Sequence, residues 1–124
     1  MWRFLSVLAA ATAILAPSVS LASDDLLSGL WRVSGRVATF DFSETCRLER
    51  HGDMLAGSCL EDHNGRVHPL TGGRVEGEKI TWMHEGKFLL KTFDVVYSAV
   101  LHDGAMHGEL SAAGHSGAFS AARI

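Results

Sequence analysis

Cysteine, proline and tyrosine are scarce: two, two and one in 124 residues. There is no C-x-x-C and no second close pair of ligand residues beside Cys46 or Cys59, so neither a zinc knuckle nor a dithiol redox centre is indicated. Phosphate-loop and H-E-x-x-H signatures are missing too, and Ser34, Ser58 and Ser98 lie in no recognisable nucleophile motif. Basic charge is sparse and scattered, with 11 Lys and Arg against 14 Asp and Glu. No stripe of it suits a nucleic acid, and no amphipathic basic helix points to a membrane surface.

Only one long apolar run occurs, Phe4 to Ala16, after Met1-Trp2-Arg3 and before Pro17 and Ser20-Leu21-Ala22. It is shorter than the ~20 residues of a span. With one leading positive charge and small residues at −3 and −1, residues 1–22 read as a cleaved signal peptide. Residues 23–124 then form a single small domain of net charge −4 once Arg3 is gone, periplasmic or secreted and with no membrane span left. An exported chain meets an oxidising compartment, where an even cysteine count is first read as a disulfide.

Thirteen glycines punctuate short apolar runs, and the spacing predicts eight strands near 29–36, 40–50, 54–62, 66–75, 79–84, 92–101, 105–111 and 117–123. Two-residue turns are expected at Gly52-Asp53, Asn64-Gly65, Gly77-Glu78 and Asp103-Gly104. Counting outward from Gly52-Asp53 sets Cys46 opposite Cys59, in a non-hydrogen-bonded pair with Cα atoms ~4.5 Å apart. The two sulfurs share a face with Leu48 and Leu55, so the bridge points inward. The same counting pairs Leu101 with Met106, Tyr97 with Leu110, and Gly73 with Trp82, where the glycine is expected to leave room for the indole. Facing changes phase between Leu70 and Val75, and Gly72-Gly73 marks a bulge. With no helix of useful length, the fold class is all-β: an up-and-down antiparallel barrel of eight strands, whose closure removes exposed edges.

Gly29-Leu30-Trp31 at the start of the first strand and Arg123 at the end of the last resemble the signature of the calycin barrels, the lipocalins and avidins among them. The resemblance implies that Trp31 closes one barrel end and Arg123 stacks on it. Most of residues 23–124 is similar to a group of small exported bacterial lipocalin-like proteins of unknown function. The similar residues run from Cys46 through Leu55-Ala56-Gly57-Ser58-Cys59, Val75-Glu76-Gly77, Ile80-Thr81-Trp82 and Val96-Tyr97 to Gly108 and Gly117-Ala118-Phe119-Ser120-Ala121. That group often has glycine where this chain carries Leu90 and Ala99. It brings no activity, cofactor or catalytic residue with it.

Candidate functional residues therefore come from the barrel itself. Pairing through Asn64-Gly65 puts Glu61 opposite His68 near a barrel end, a carboxylate–imidazole pair that suits acid–base work or a rim ion pair. Trp31, Trp82, Phe93, Tyr97 and Phe119 fall on the inner face, where they either fill the barrel or line a pocket. Seven histidines raise the question of a metal, and His102, His107 and His115 with Glu109 form the best outward grouping, but as exposed histidines they suggest no metal or other cofactor. The expectation is a non-enzymatic protein binding a small apolar or aromatic ligand at the barrel mouth through Trp82, Tyr97, Phe93, His68 and Glu61. An alternative is an inhibitor of an exported protease or lysozyme acting through its N-terminal tail, Ser23 to Leu26, since Leu27-Ser28-Gly29-Leu30-Trp31 and the tail before it have a limited resemblance to barrel-type metalloprotease inhibitors. A third is an envelope or surface protein whose outer face meets other proteins.

Overall fold

A computed structural model of the chain describes residues 25–124; the expected signal peptide, residues 1–22, lies outside the described residues. Eight strands run in chain order: β1 (Gly29–Val37), β2 (Phe40–His51), β3 (Met54–Glu61), β4 (Val67–Glu76), β5 (Lys79–Phe88), β6 (Lys91–His102), β7 (Ala105–Ala112) and β8 (His115–Arg123). Each pairs antiparallel with the next, and β8 pairs with β1, so the sheet closes into a barrel. Closure leaves no full edge strand to template pairing with another chain.

Alternation does the work of placing the core. Side chains of a strand point to opposite faces in turn, and β1 reads buried at Trp31 and Val33 but exposed at Arg32, Ser34 and Arg36. Trp31, Leu48, Ile80, Trp82, Tyr97, Met106 and Phe119 fill the barrel axis. Trp82 and Tyr97 stack with ring centroids 4.9 Å apart, and Phe119 meets both edge-on at 5.6 and 5.4 Å. The centre of the barrel is thus packed with aromatic side chains.

Cys46 and Cys59 are register partners and form a disulfide, with Cα atoms 4.0 Å apart. Both are fully buried, as expected of a bridge on the inner face.

The end where the chain enters carries the turns at 52–53, 77–78 and 103–104, and it is closed. Leu27 is buried there, the Trp31 indole N–H donates to its carbonyl at 2.7 Å, and the Arg123 guanidinium lies 4.9 Å from the Trp31 ring. Arg123 also donates to the Ser28 carbonyl at 2.7 Å and to that of Leu26. Asp25 accepts from the backbone N–H groups of Leu27 and Ser28, which sets the entry angle. The other end carries the connections 38–39, 62–66, 89–90 and 113–114, and we call it the mouth.

Three local expectations change. The β3–β4 connection is longer than a two-residue turn: Cys59 pairs with His68 and Leu60 with Val67, which leaves Asp62 to Gly65 in the loop. The slip relative to the expected register is two residues, so every side chain keeps its face. The bulge sits on β4 between Leu70 and Gly72, a residue ahead of the glycine pair. Gly73 does pair with Trp82, yet a Cβ there would strike the Leu55 carbonyl oxygen at 2.5 Å and the Leu55 Cβ at 2.8 Å. The glycine therefore makes room for β3 rather than for the indole.

Candidate functional site

Below the mouth, the alternation that buries the disulfide also buries polar groups. Glu44 precedes Cys46 by two residues on β2, and His84 follows Trp82 by two on β5, so both must point inward. Glu44 is 7% exposed and His84 2%. Tyr97, from β6, stands between them. Its hydroxyl donates to the Glu44 carboxylate, 2.9 and 3.0 Å from the two oxygens, and lies 3.1 Å from His84 Nε2. His84 Nδ1 lies 3.1 Å from the Glu85 carbonyl and donates to it.

A phenol has one hydrogen; with it donated to Glu44, the contact with Tyr97 is completed by a hydrogen on His84 Nε2, which makes the ring an imidazolium. Burial alone works against that charge, but the hydrogen bonding and negative charge of Glu44 outweigh it and raise the His84 pKa above its ordinary value. The Tyr97 phenol, buried and facing Glu44, is pushed far upward and stays protonated. The result is a buried imidazolium, phenol and carboxylate joined in a chain, with His84 Nε2 3.7 Å from Glu44 Oε2.

A second pair lies nearer solvent. His68 Nε2 is 3.0 Å from Glu61 Oε2, with side chains 17% and 28% exposed. Burial pushes the Glu61 carboxyl up, but hydrogen bonds from His68 and Asn64 and the positive charge of nearby histidines pull it lower than its ordinary value. The His68 ring stacks on His84 at 4.8 Å between centroids, planes 16° apart, which couples the open pair to the buried chain. Glu44 and Glu61 together line a cleft of about 350 Å³ with Phe42 and Asp62. His68 borders a neighbouring one of about 320 Å³ with Glu85, Gly86 and Lys87. Asp62, which accepts from the Ser43 and Thr45 hydroxyls at 2.6 and 2.8 Å, pins the intervening loop. A further cleft of about 490 Å³ lies at the closed end between Leu27, Arg50, Val75 and Leu101. The His102–Asp103 pair on its rim is exposed to solvent.

The structure brings Glu61 and His68 together as expected, despite the changed register. Trp82 and Tyr97 are 0% and 1% exposed, so as they stand they form the floor beneath the mouth and not its lining. Phe93 is half-buried and pairs with Gly86, where an added Cβ would lie 2.7 Å from its ring. Sequence reasoning missed Glu44 and His84. Their signal was available: an ionisable residue two positions from Cys46 and from Trp82 shares the inner face.

Glu44, Cys59 and His84 also bring potential ligand atoms within 4.8 Å of one another. With Cys59 committed to the disulfide, it offers no thiolate, and Glu44 and His84 alone make a poor metal site. His102, His107, Glu109 and His115 are all exposed on the outer surface. Trp82 Nε1 is buried without a hydrogen-bond partner among the described residues.

No family model matches this chain, and no curated protein matches it in sequence. The class that the structure defines is a disulfide-bridged, closed eight-stranded antiparallel barrel. The disulfide is consistent with an oxidising compartment.

Proposed function

We propose that the protein is a non-enzymatic, exported, calycin-like binding barrel, periplasmic or secreted, that holds a small ligand at its mouth rather than deep inside. The observation that carries this reading is the half-buried Glu61–His68 pair, open to a cleft and backed by the buried Glu44–Tyr97–His84 chain. Small-molecule sites combine apolar walls with a few fixed polar groups. Here Phe42 supplies apolar wall, and Glu61 and His68 supply polar groups whose geometry is fixed from below. The ligand this suits has an apolar or aromatic body and one hydrogen-bonding end. The packed axis argues for a shallow site, since Trp82 and Tyr97 would have to unstack to admit a ligand further.

The inhibitor reading receives less support. Leu27 and Ser28 are drawn into the closed end by Trp31 and Arg123, and Arg123 also holds the Leu26 carbonyl, so the last residue of the expected tail is tied to the barrel.

The test is a titration with an environment-sensitive aromatic dye such as an anilinonaphthalene. The expected result is saturable binding that weakens about tenfold in His68→Ala and Glu61→Gln, the worth of roughly one hydrogen bond at a polar anchor. Absence of saturable binding, or binding indifferent to both substitutions in folded protein, counts against the proposal.

A further inference from the structure

Beyond the mouth, β5 and β6 outgrow their neighbours. The last β4 partner of β5 is His84, and the first β7 partner of β6 is Val95. Residues 85 to 94 therefore pair only with each other, Glu85 with Asp94, Gly86 with Phe93, Lys87 with Thr92 and Phe88 with Lys91. Four pairs at about 3.3 Å rise make a two-stranded ribbon roughly 13 Å long. Its base, Glu85 to Lys87 and Thr92, shares a cleft with His68, Pro69 and Thr71 of β4, and Phe88 to Leu90 line none of that cleft.

Its tip is apolar and uncovered. Phe88, Leu89 and Leu90 are 70%, 80% and 94% exposed. Leu89 has φ 56°, a left-handed turn position that normally goes to glycine or asparagine. Neither solubility nor turn geometry favours two leucines here, and an isolated ribbon gains little stability from them.

Chemistry changes in layers along the ribbon. Inward from the Leu89-Leu90 turn the pairs are Phe88 with Lys91, Lys87 with Thr92, Gly86 with Phe93 and Glu85 with Asp94, so lysines occupy the first two pairs and the acids the last. An apolar point, a basic collar and an acidic base match, in order, the acyl region, the phosphate layer and the aqueous side of an anionic bilayer. We propose that the β5–β6 ribbon is a membrane-docking element that inserts its tip into an anionic phospholipid surface and sets the barrel mouth facing it. A protein partner would also accept an apolar tip, but it gives no reason for the ordered charge layers. The docking rests on the exposed tip and does not require the ligand reading, although Lys87 shares a cleft with His68.

Flotation with vesicles tests it, using the processed protein recovered after export, wild type and variant in the same N-terminal form. The wild type is expected to float with phosphatidylglycerol–phosphatidylcholine vesicles. L89N/L90D, in which Asn suits the left-handed turn, should keep the wild-type melting curve and lose about tenfold or more in vesicle partitioning. Lys87→Gln with Lys91→Gln should lower binding to the level seen on phosphatidylcholine alone. Leu90→Trp, which keeps the tip apolar, should shift its fluorescence to the blue on vesicle addition. Equal flotation of wild type and L89N/L90D would overturn the proposal, as would failure of the wild type to float. Self-association that depends on the tip, without flotation, would assign the ribbon to a protein contact instead.

Discussion

Replacing Tyr97 with Phe removes one oxygen and keeps the ring that stacks on Trp82. That oxygen joins two buried charged groups, donating to Glu44 at 2.9 Å and accepting from His84 at 3.1 Å. Hydrogen bonds to charged groups contribute about 1.5–3 kcal/mol each, so losing both sets an upper range of roughly 3–6 kcal/mol. Partial recovery is available, because His84 Nε2 is 3.7 Å from Glu44 Oε2 and a small shift would make a direct ion pair. The net expectation is a loss of about 3 kcal/mol, or roughly 10–20 °C in Tm for a domain near 100 residues. Urea unfolding followed by tryptophan fluorescence measures it. A double-mutant cycle with Glu44→Gln should show coupling of about 1 kcal/mol or more, since the two groups share one network. A Tyr97→Phe protein within about 0.5 kcal/mol of wild type, the range of ordinary surface changes, would refute the reasoning. It would mean that the chain of hydrogen bonds contributes nothing to the fold.

The same packing sets the pH response, the worth of the disulfide and a contrast between two glycines. The His84 pKa is raised in the folded state, so its contribution is fully present below its ordinary value of 6.5 and is lost as pH rises through the folded value. Wild-type urea midpoints should therefore fall as pH rises above 6.5 through the raised folded value, and His84→Gln should flatten that limb. Glu61 acts in the opposite sense, its contribution being present above 4.5 and lost as pH falls through its lowered value. Replacing Cys46 and Cys59 together by Ala should cost ~3 kcal/mol on the chain-entropy estimate, read from urea midpoints against the oxidised wild type. Gly73→Ala should destabilise by about 2–3 kcal/mol through overpacking, because its Cβ would meet the Leu55 carbonyl oxygen at 2.5 Å. Gly72→Ala meets only the flexible Met83 side chain at 3.3 Å and should be tolerated, a contrast that thermal melts will show.

Legibility in the sequence followed the reach of the interactions. Gly52-Asp53 is a two-residue turn with glycine at the left-handed position, so counting from it paired Cys46 with Cys59 and fixed the neighbouring registers. Asn64-Gly65 has the same local appearance. There, however, Asp62 is tied to Ser43 and Thr45 across β2, and Asn64 Oδ1 accepts from the Arg66 N–H at 2.9 Å. Contacts between residues 17 and 19 apart cannot be read from a dipeptide. Leu89-Leu90 carries no turn signal at all, which is why β5 runs on to Phe88 where the pattern suggested an end near residue 84. The Glu61–His68 pair survived the register slip because a shift of two preserves facing. Glu44 and His84 escaped notice because charged residues are seldom assigned inward, although their spacing from Cys46 and Trp82 required it. Whether the axis is packed or hollow depends on how Trp31, Trp82, Tyr97 and Phe119 orient, which alternation alone does not specify.

Native mass spectrometry of the protein purified gently from its own producer tests the central claim of a ligand held at the mouth most directly. The account predicts a discrete extra mass that is released on denaturation and is missing from His68→Ala prepared in the same way. A wild-type protein that carries only its own polypeptide mass with the Cys46–Cys59 bridge, and takes up no dye at the mouth, would contradict it.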